Sequence, residues 1–185
     1  MIKKKMNAIV MIFFAMVISV SCSKSDKGPG TDTGIAEASW KMGTYTYNRG
    51  ASSQNSSIVG GANLHIIVAT TSGAPTQGVF SGSAVTVKFF DQGPGEYNLV
   101  TETAFSGANA GNKIMSIDCT IGTGTSTGST LYTYASGTAK AQVTKVNNQY
   151  RVTIDNGITL NKKLDVNGGV AGALANYSFT CKSVF

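Results

Sequence analysis

Beyond Trp40 the chain carries no apolar stripe at helical spacing. What recurs is a short run of β-branched and aromatic residues closed by Gly, Ser, Thr or Asn. That pattern confines the chain to many short antiparallel strands joined by turns. The runs fall at residues 43–48, 62–70, 79–90, 96–101, 113–121, 130–135, 138–146, 149–155, 158–164 and 175–184. So many strands in one chain of this length predict an all-β fold, an antiparallel β-sandwich. A closed lipocalin-like β-barrel is the alternative.

One stretch fixes a register. Tyr150, Val152 and Ile154 alternate with Gln149, Arg151, Thr153 and Asp155, so this strand has one core face and one wet face. Asn147-Asn148 before it suits a two-residue hairpin turn, because asparagine tolerates positive φ. Such a turn sets Val143 opposite Val152 and Ala141 opposite Ile154, apolar against apolar. Asp155-Asn156-Gly157 predicts a three-residue turn with Gly157 in the left-handed region, which sets Ile158 opposite Ile154 and Leu160 opposite Val152. Residues 138–164 then form a three-stranded meander. Residues 64–69, Leu-His-Ile-Ile-Val-Ala, read as a central strand apolar on both faces. Val85, Val87 and Phe89 share a face of another strand.

The expected loops, 49–61, 71–78, 104–112, 121–129 and 167–173, are built from small residues. The low-complexity run from Gly122 to Gly128 lacks the spacing of a dinucleotide fingerprint, and no helical pattern follows it.

The N-terminus has a different character. Lys3, Lys4 and Lys5 precede a nearly continuous apolar run over residues 6–18, and Ser19-Val20-Ser21-Cys22 closes it with small residues. A basic start, an apolar middle and a small-residue cleavage site make a secretory signal, and the run is too short for a spanning helix of roughly 20 residues. Residues 1–27 resemble the signal of bacterial lipoproteins, with Ile18, Ser19, Val20 and Ser21 fitting a permissive lipobox ahead of Cys22. The resemblance implies removal of residues 1–21 and attachment of diacylglycerol and an acyl chain, such as palmitate, to Cys22. Ser23 in place of aspartate implies the outer membrane. Whether the domain faces the periplasm or the cell surface stays open, since Asp26 between Lys24 and Lys27 is the one acid near the lipid site. Residues 22–38 then make a Gly-rich, solvated tether, and 39–185 a single β domain. That domain is similar in general character to the small β-sandwich lipoproteins of unknown function from Bacteroidota.

Of 15 basic residues three leave with the signal, so 12 face 9 acids, a balance of +3. The remaining basic residues are scattered and Lys162-Lys163 is their one adjacent pair, which argues against nucleic acid as a partner. With Cys22 lipidated, Cys119 and Cys181 remain. Cys119 shares strand parity with Met115, Ile117 and Ile121, and Cys181 with Tyr177 and Phe179. Both thiols are therefore expected to point inward, as a candidate disulfide in an oxidising compartment or as two buried free cysteines.

Residues suited to chemistry are sparse. His65 is the one histidine, and its parity puts it with Ile67 and Ala69 as a packed strand residue. No motif supplies it with an orienting partner or a nucleophile, so no catalytic residue is assigned. Asp91 and Glu96 flank Gly93-Pro94-Gly95 and stand near enough in sequence to approach each other, as glycoside hydrolysis would need, or simply to solvate a turn. Asp165-Val166-Asn167-Gly168 resembles the opening of a calcium loop without the later ligands, so a plain turn is expected, with no metal and no cofactor. Tyr45 and Tyr47 share one face, and Tyr132 and Tyr134 another. They are candidate stacking platforms for a glycan, or core residues. The leading functional expectation is a non-enzymatic binding or structural module held at the membrane by lipid on Cys22, with a glycan or an envelope protein as partner. The alternatives are a lipocalin-like carrier of a small apolar ligand, or a hydrolase.

Overall fold

The structure is a computed structural model that describes residues 38–71, 78–122 and 128–184. All of them lie in one compact unit, Ile35–Phe185. The leader, Cys22 and most of the tether lie outside the described residues, as does the middle of the run between Gly122 and Gly128. No helix among the described residues is long and apolar enough to cross a membrane.

Among the described residues ten strands form one sheet: β1 (Ser39–Met42), β2 (Tyr45–Val59), β3 (Ala62–Thr71), β4 (Ser83–Phe90), β5 (Gly95–Leu99), β6 (Ile114–Gly122), β7 (Ser129–Tyr134), β8 (Lys140–Val146), β9 (Gln149–Val166) and β10 (Asn176–Val184). A 3₁₀ turn at Gly78–Phe80 and one short helix, α1 (Glu102–Ser106), complete the set. The fold is all-β and sandwich-like, as the alternation of the sequence implies. Its strands run in the order β10-β1-β2-β3-β4-β6-β5-β8-β9-β7, with further pairings of β10 to β9 and of β6 to β7. The strands β1, β2, β3, β4, β6, β7, β9 and β10 therefore make an unbroken circuit of hydrogen-bonded neighbours. Every pairing is antiparallel except β5 with β6, a short parallel contact at Asn98↔Ile114 and Leu99↔Met115. A parallel pair needs a crossover, and residues 100–113 with α1 supply it. Thr101 caps α1, its Oγ1 accepting from the Ala104 N–H at 3.1 Å. Phe105 lies on Phe90 with ring centroids 5.3 Å apart, against Ile114 and Leu64, in a small cluster outside the main core. Burying Phe105 there contributes about 2 kcal/mol.

The main core is filled by the inward residues of the circuit and of β5 and β8. Trp40, Tyr47, Phe89, Tyr97, Tyr132 and Phe179 are each 2 % exposed or less, with Val85, Val87, Ile117 and Leu160 among them. Trp40 donates from Nε1 to Ser83 Oγ at 2.8 Å, and Tyr47 donates to the Phe80 carbonyl at 2.9 Å. Buried rings thus keep their polar atoms partnered, as burial requires.

The hairpin at Asn147-Asn148 forms as expected. Asn147 and Asn148 have φ of 50° and 63°, and Val143 pairs with Val152. Three expectations need correction. A strand precedes the first expected one, 43–48: β1 ends at Met42, the chain turns at Gly43 (φ 57°), and the expected run begins as β2 at Tyr45. Residues 49–61 are not a loop but most of β2, which pairs with β3 as far as Val59↔Ala62 around the Gly60-Gly61 turn. Its Ser- and Asn-rich sequence hides a strand because nearly every side chain from Asn48 on is exposed, so no alternation is selected. Asp155-Asn156-Gly157 is no turn either. β9 runs straight through it, with Ile154 opposite Cys181 and Ile158 opposite Phe179, so Thr180 alone faces three residues. The insertion is a bulge, and because Ile154 and Ile158 differ by an even count both stay inward. The bulge sits where β9 exchanges one neighbour, β8, for another, β7.

Candidate functional site

A polar cluster lies where β3 begins, β4 ends and β9 begins. The inward face of β3 runs Ala69, Ile67, His65. His65 stands opposite Phe89 and stacks on its ring at 5.5 Å, while the Tyr150 ring meets it edge-on at 4.8 Å. Asp91 follows β4 directly, its N–H donating to the Asn63 carbonyl at 2.8 Å. Its Oδ2 lies 3.3 Å from His65 Nε2. Its Oδ1 accepts from the Tyr150 hydroxyl at 2.6 Å and from the Gly93 N–H at 3.0 Å. Tyr97 holds the same loop, donating to the Gly93 carbonyl at 2.8 Å and accepting from the Gln92 N–H at 3.0 Å. Gln54 reaches inward from β2, accepting from the Tyr150 N–H at 3.1 Å and donating to the Tyr150 carbonyl. The Lys145 ammonium lies 4.7 Å from the Tyr150 ring centroid.

Burial acts to raise the Asp91 carboxyl, but the hydrogen bonds from Tyr150, Gly93 and His65 outweigh it and hold the group below the ordinary carboxylate range. Tyr150 moves the other way: burial, then its bond to Asp91 and the charge there, push its hydroxyl well above the ordinary tyrosine value. An aspartate orienting a histidine is one part of base catalysis, and the remaining part is a nucleophile in reach. Here the neighbouring hydroxyl, Tyr150, is held protonated and spends its proton on Asp91. The arrangement is a latch that ties β3, the loop after β4 and the start of β9 together.

Comparison with known proteins gives no matching family model, no matching curated protein and no matching solved structure.

The structure separates the two acids read as a candidate pair. Asp91 turns in to His65 and Tyr150, while Glu96 turns out to an ion pair with Lys140. The tyrosine platforms are corrected to core residues. Tyr47, Tyr132 and Tyr134 are 2 %, 0 % and 3 % exposed, and their ring faces are covered by protein. Tyr132 donates to the Leu174 carbonyl at 2.8 Å and meets Tyr177 edge-on. Tyr45 is half-buried and stacks on Phe80 at 4.4 Å. Their shared strand parity pointed inward because on these strands the inner face is the aromatic one. The candidate disulfide is also corrected: Cys119 and Cys181 are free thiols, both buried. Cys119 Sγ lies 3.5 Å from Ser83 Oγ, and Cys181 Sγ donates to the Val152 carbonyl at 3.8 Å. Cys119 on β6 and Cys181 on β10 belong to strands that are not paired with each other.

Asp165 lies near the end of β9, opposite Thr130 and accepting from its Oγ1 at 2.7 Å, and the turn follows at Asn167 and Gly168, both at positive φ. Among the described residues no group of three His, Cys, Asp or Glu is placed to hold a metal. Cys22 lies outside the described residues. The latch residues that sequence reasoning missed are Asp91 in this role, Tyr150, Tyr97 and Gln54. Tyr150 carried a signal, since the alternation put it on the core face and a buried tyrosine hydroxyl needs a partner. Gln54 carried none, because its stretch read as loop.

Proposed function

We propose that this chain is a lipid-anchored cell-envelope protein whose β domain is a non-enzymatic binding module. One observation carries the non-enzymatic part. The histidine, carboxylate and hydroxyl that come together are spent on one another, with the Tyr150 proton committed to Asp91 and the imidazole packed between two rings. The filled core supports a scaffold over a carrier, since a bound apolar molecule would need the space that Trp40, Tyr47, Tyr132 and Phe179 occupy. What supports the anchor is the leader ending at Cys22 and the Gly-rich tether that precedes the folded unit. Two or three acyl chains, each buried CH₂ contributing about 0.8 kcal/mol, make an anchor that hardly dissociates. The outer membrane is the proposed location.

The test expresses the full chain in a bacterium that processes lipoproteins. The wild type is expected in the membrane fraction and in the detergent phase, and Cys22→Ser is expected to be released or left uncleaved. A Cys22→Ser chain of processed size that still partitions into detergent overturns the anchor. His65→Gln is expected to lower the melting temperature without removing any turnover. Hydrolysis of ester, glycoside or peptide substrates that disappears in a folded His65→Gln variant overturns the non-enzymatic reading.

A further inference from the structure

The sheet has a seam. Strand β8 pairs with β9 as far as Gln142↔Thr153, and β7 takes up the same edge of β9 only at Tyr134↔Leu160. Between these points, opposite the bulge at 155–157, no strand covers that edge of β9 among the described residues. The chain from Tyr134 to Lys140 leaves the sheet and returns, and a groove of about 410 Å³ opens beside it. That is within the size range of small-ligand sites. Its walls carry Glu96, Lys140, Gln142, Thr153, Asp155 and Asn156. The bulge at Gly157 leaves backbone uncovered by any side chain of its own.

We infer that this groove binds a neutral saccharide, an inference that rests on the binding-module reading and names its ligand class. The chemistry of the walls selects among ligands. Glu96 and Lys140 hold each other in an ion pair and Thr153 Oγ1 accepts from the Ser183 N–H at 3.0 Å, which leaves the Asp155 carboxylate as an acceptor and the amides of Gln142 and Asn156 as donors and acceptors. Sugar hydroxyls donate and accept in turn, so a saccharide satisfies Asp155, Gln142 and Asn156 at once. An anion meets the Asp155 carboxylate, and the Glu96–Lys140 ion pair carries no net charge to draw either kind of ion. An apolar ligand would strip water from charged groups and return no hydrogen bond. The groove also faces outward, on the exposed sides of β8 and β9, while the core-facing residues Ala141, Val143, Val152 and Ile154 stay buried beneath it. Side chains here can therefore be changed without opening the core.

The experiment records backbone amide shifts of the full chain during titration with maltose, cellobiose, lactose and N,N′-diacetylchitobiose, and with glucose phosphate for contrast. At least one neutral disaccharide is expected to move the amides of residues 138–142 and 153–157 saturably, and more strongly than the sugar phosphate. Asp155→Ala and Gln142→Ala, both on exposed positions, are each expected to weaken that binding about tenfold, the loss for one hydrogen bond involving a charged or amide group. No saturable shift with any of the four, shifts confined to other parts of the domain, or wild-type affinity in both variants overturns the site. The anchor and the latch are read by separate measurements, so failure here leaves them standing. Cleavage of a bound disaccharide during the titration would keep the groove and overturn the non-enzymatic reading instead.

Discussion

Asp91 holds three elements with one carboxylate, and its pKa makes that hold depend on pH. The group titrates below the ordinary value of 3.8 in the folded state. Its contribution to stability is therefore complete above the ordinary carboxylate range and is lost as pH falls through the folded value. Asp91→Asn is expected to cost about 1–3 kcal/mol at neutral pH, because the Tyr150 hydroxyl and the Gly93 N–H lose a charged acceptor. That deficit should hold above the ordinary carboxylate range and shrink only as pH falls below it, where the wild-type carboxylate itself protonates. Thermal melts of both chains across that range measure it, and a pH-independent gap would place the stabilisation elsewhere. The tyrosines give the opposite sign. Burial, chiefly, raises Tyr47, Tyr132 and Tyr150 well above the ordinary tyrosine pKa. Their contribution is whole below about pH 10 and is lost above it, so alkaline unfolding should coincide with a late, cooperative rise in tyrosinate absorbance. Burial likewise pushes both core thiols up to about 12. In a Cys22→Ser chain kept free of reductant, no thiol should label in the native state and two should label on denaturation. A denatured chain with no reactive thiol would establish the disulfide after all.

At the scale of elements, the sequence was legible wherever one face of a strand meets the core and the other meets water. Val85, Val87 and Phe89, the run from Tyr150 to Ile154, and the parity of Cys119 and Cys181 all read correctly, because a period of two is what such a strand imposes. The reading failed where that asymmetry is missing. In β2 beyond Asn48 almost all side chains are exposed, so pairing to β3 is written in the backbone and not in the residues. At Asp155-Asn156-Gly157 the residues are those of a turn, and only the pairing of β9 to three neighbours decides that they bulge instead. The latch was half legible: His65 faced inward as read, but its partner Asp91 comes from another strand end, which single-strand parity cannot reach. The Asn147-Asn148 turn offers a clean test of an element that was read in full. Both residues are in the left-handed region, where a β-branched side chain costs about 1–2 kcal/mol and glycine costs nothing. Asn148→Gly should leave the melting temperature unchanged or raise it. Asn147→Val should lower stability by about 1–2 kcal/mol in chemical denaturation with an unchanged slope. Equal melts for the two variants would show that β8 and β9 do not depend on this turn.

At the scale of the whole molecule, closure is the dominant fact, and β10 is the strand that completes it. β10 pairs with β1 on one side and β9 on the other, and it is the last of the described strands in sequence order. It contributes Tyr177, Phe179, Cys181 and Val184 to the core, the last at 0 % exposed. Until it docks, β1 and β9 each present an unpaired edge, and edges of that kind pair with other chains or stay unstructured. Strand β1 is only four residues long, with β2 as its one other neighbour, so it has little else to hold it. A chain ending before Asn176 should therefore lose more than one strand. Trp40 and Met42 would lose the wall beside them, and the cooperative transition should disappear together with the near-ultraviolet dichroism of the packed aromatics. Binding of a hydrophobic dye should rise, the mark of a core that has collapsed without packing. A peptide of residues 176–184 added in trans should restore the dichroism if the defect is the open seam alone. Restoration would identify closure by β10 as the late step that makes the native state. A truncated chain that still melts cooperatively at a similar temperature would show that β1 to β9 hold the core without it.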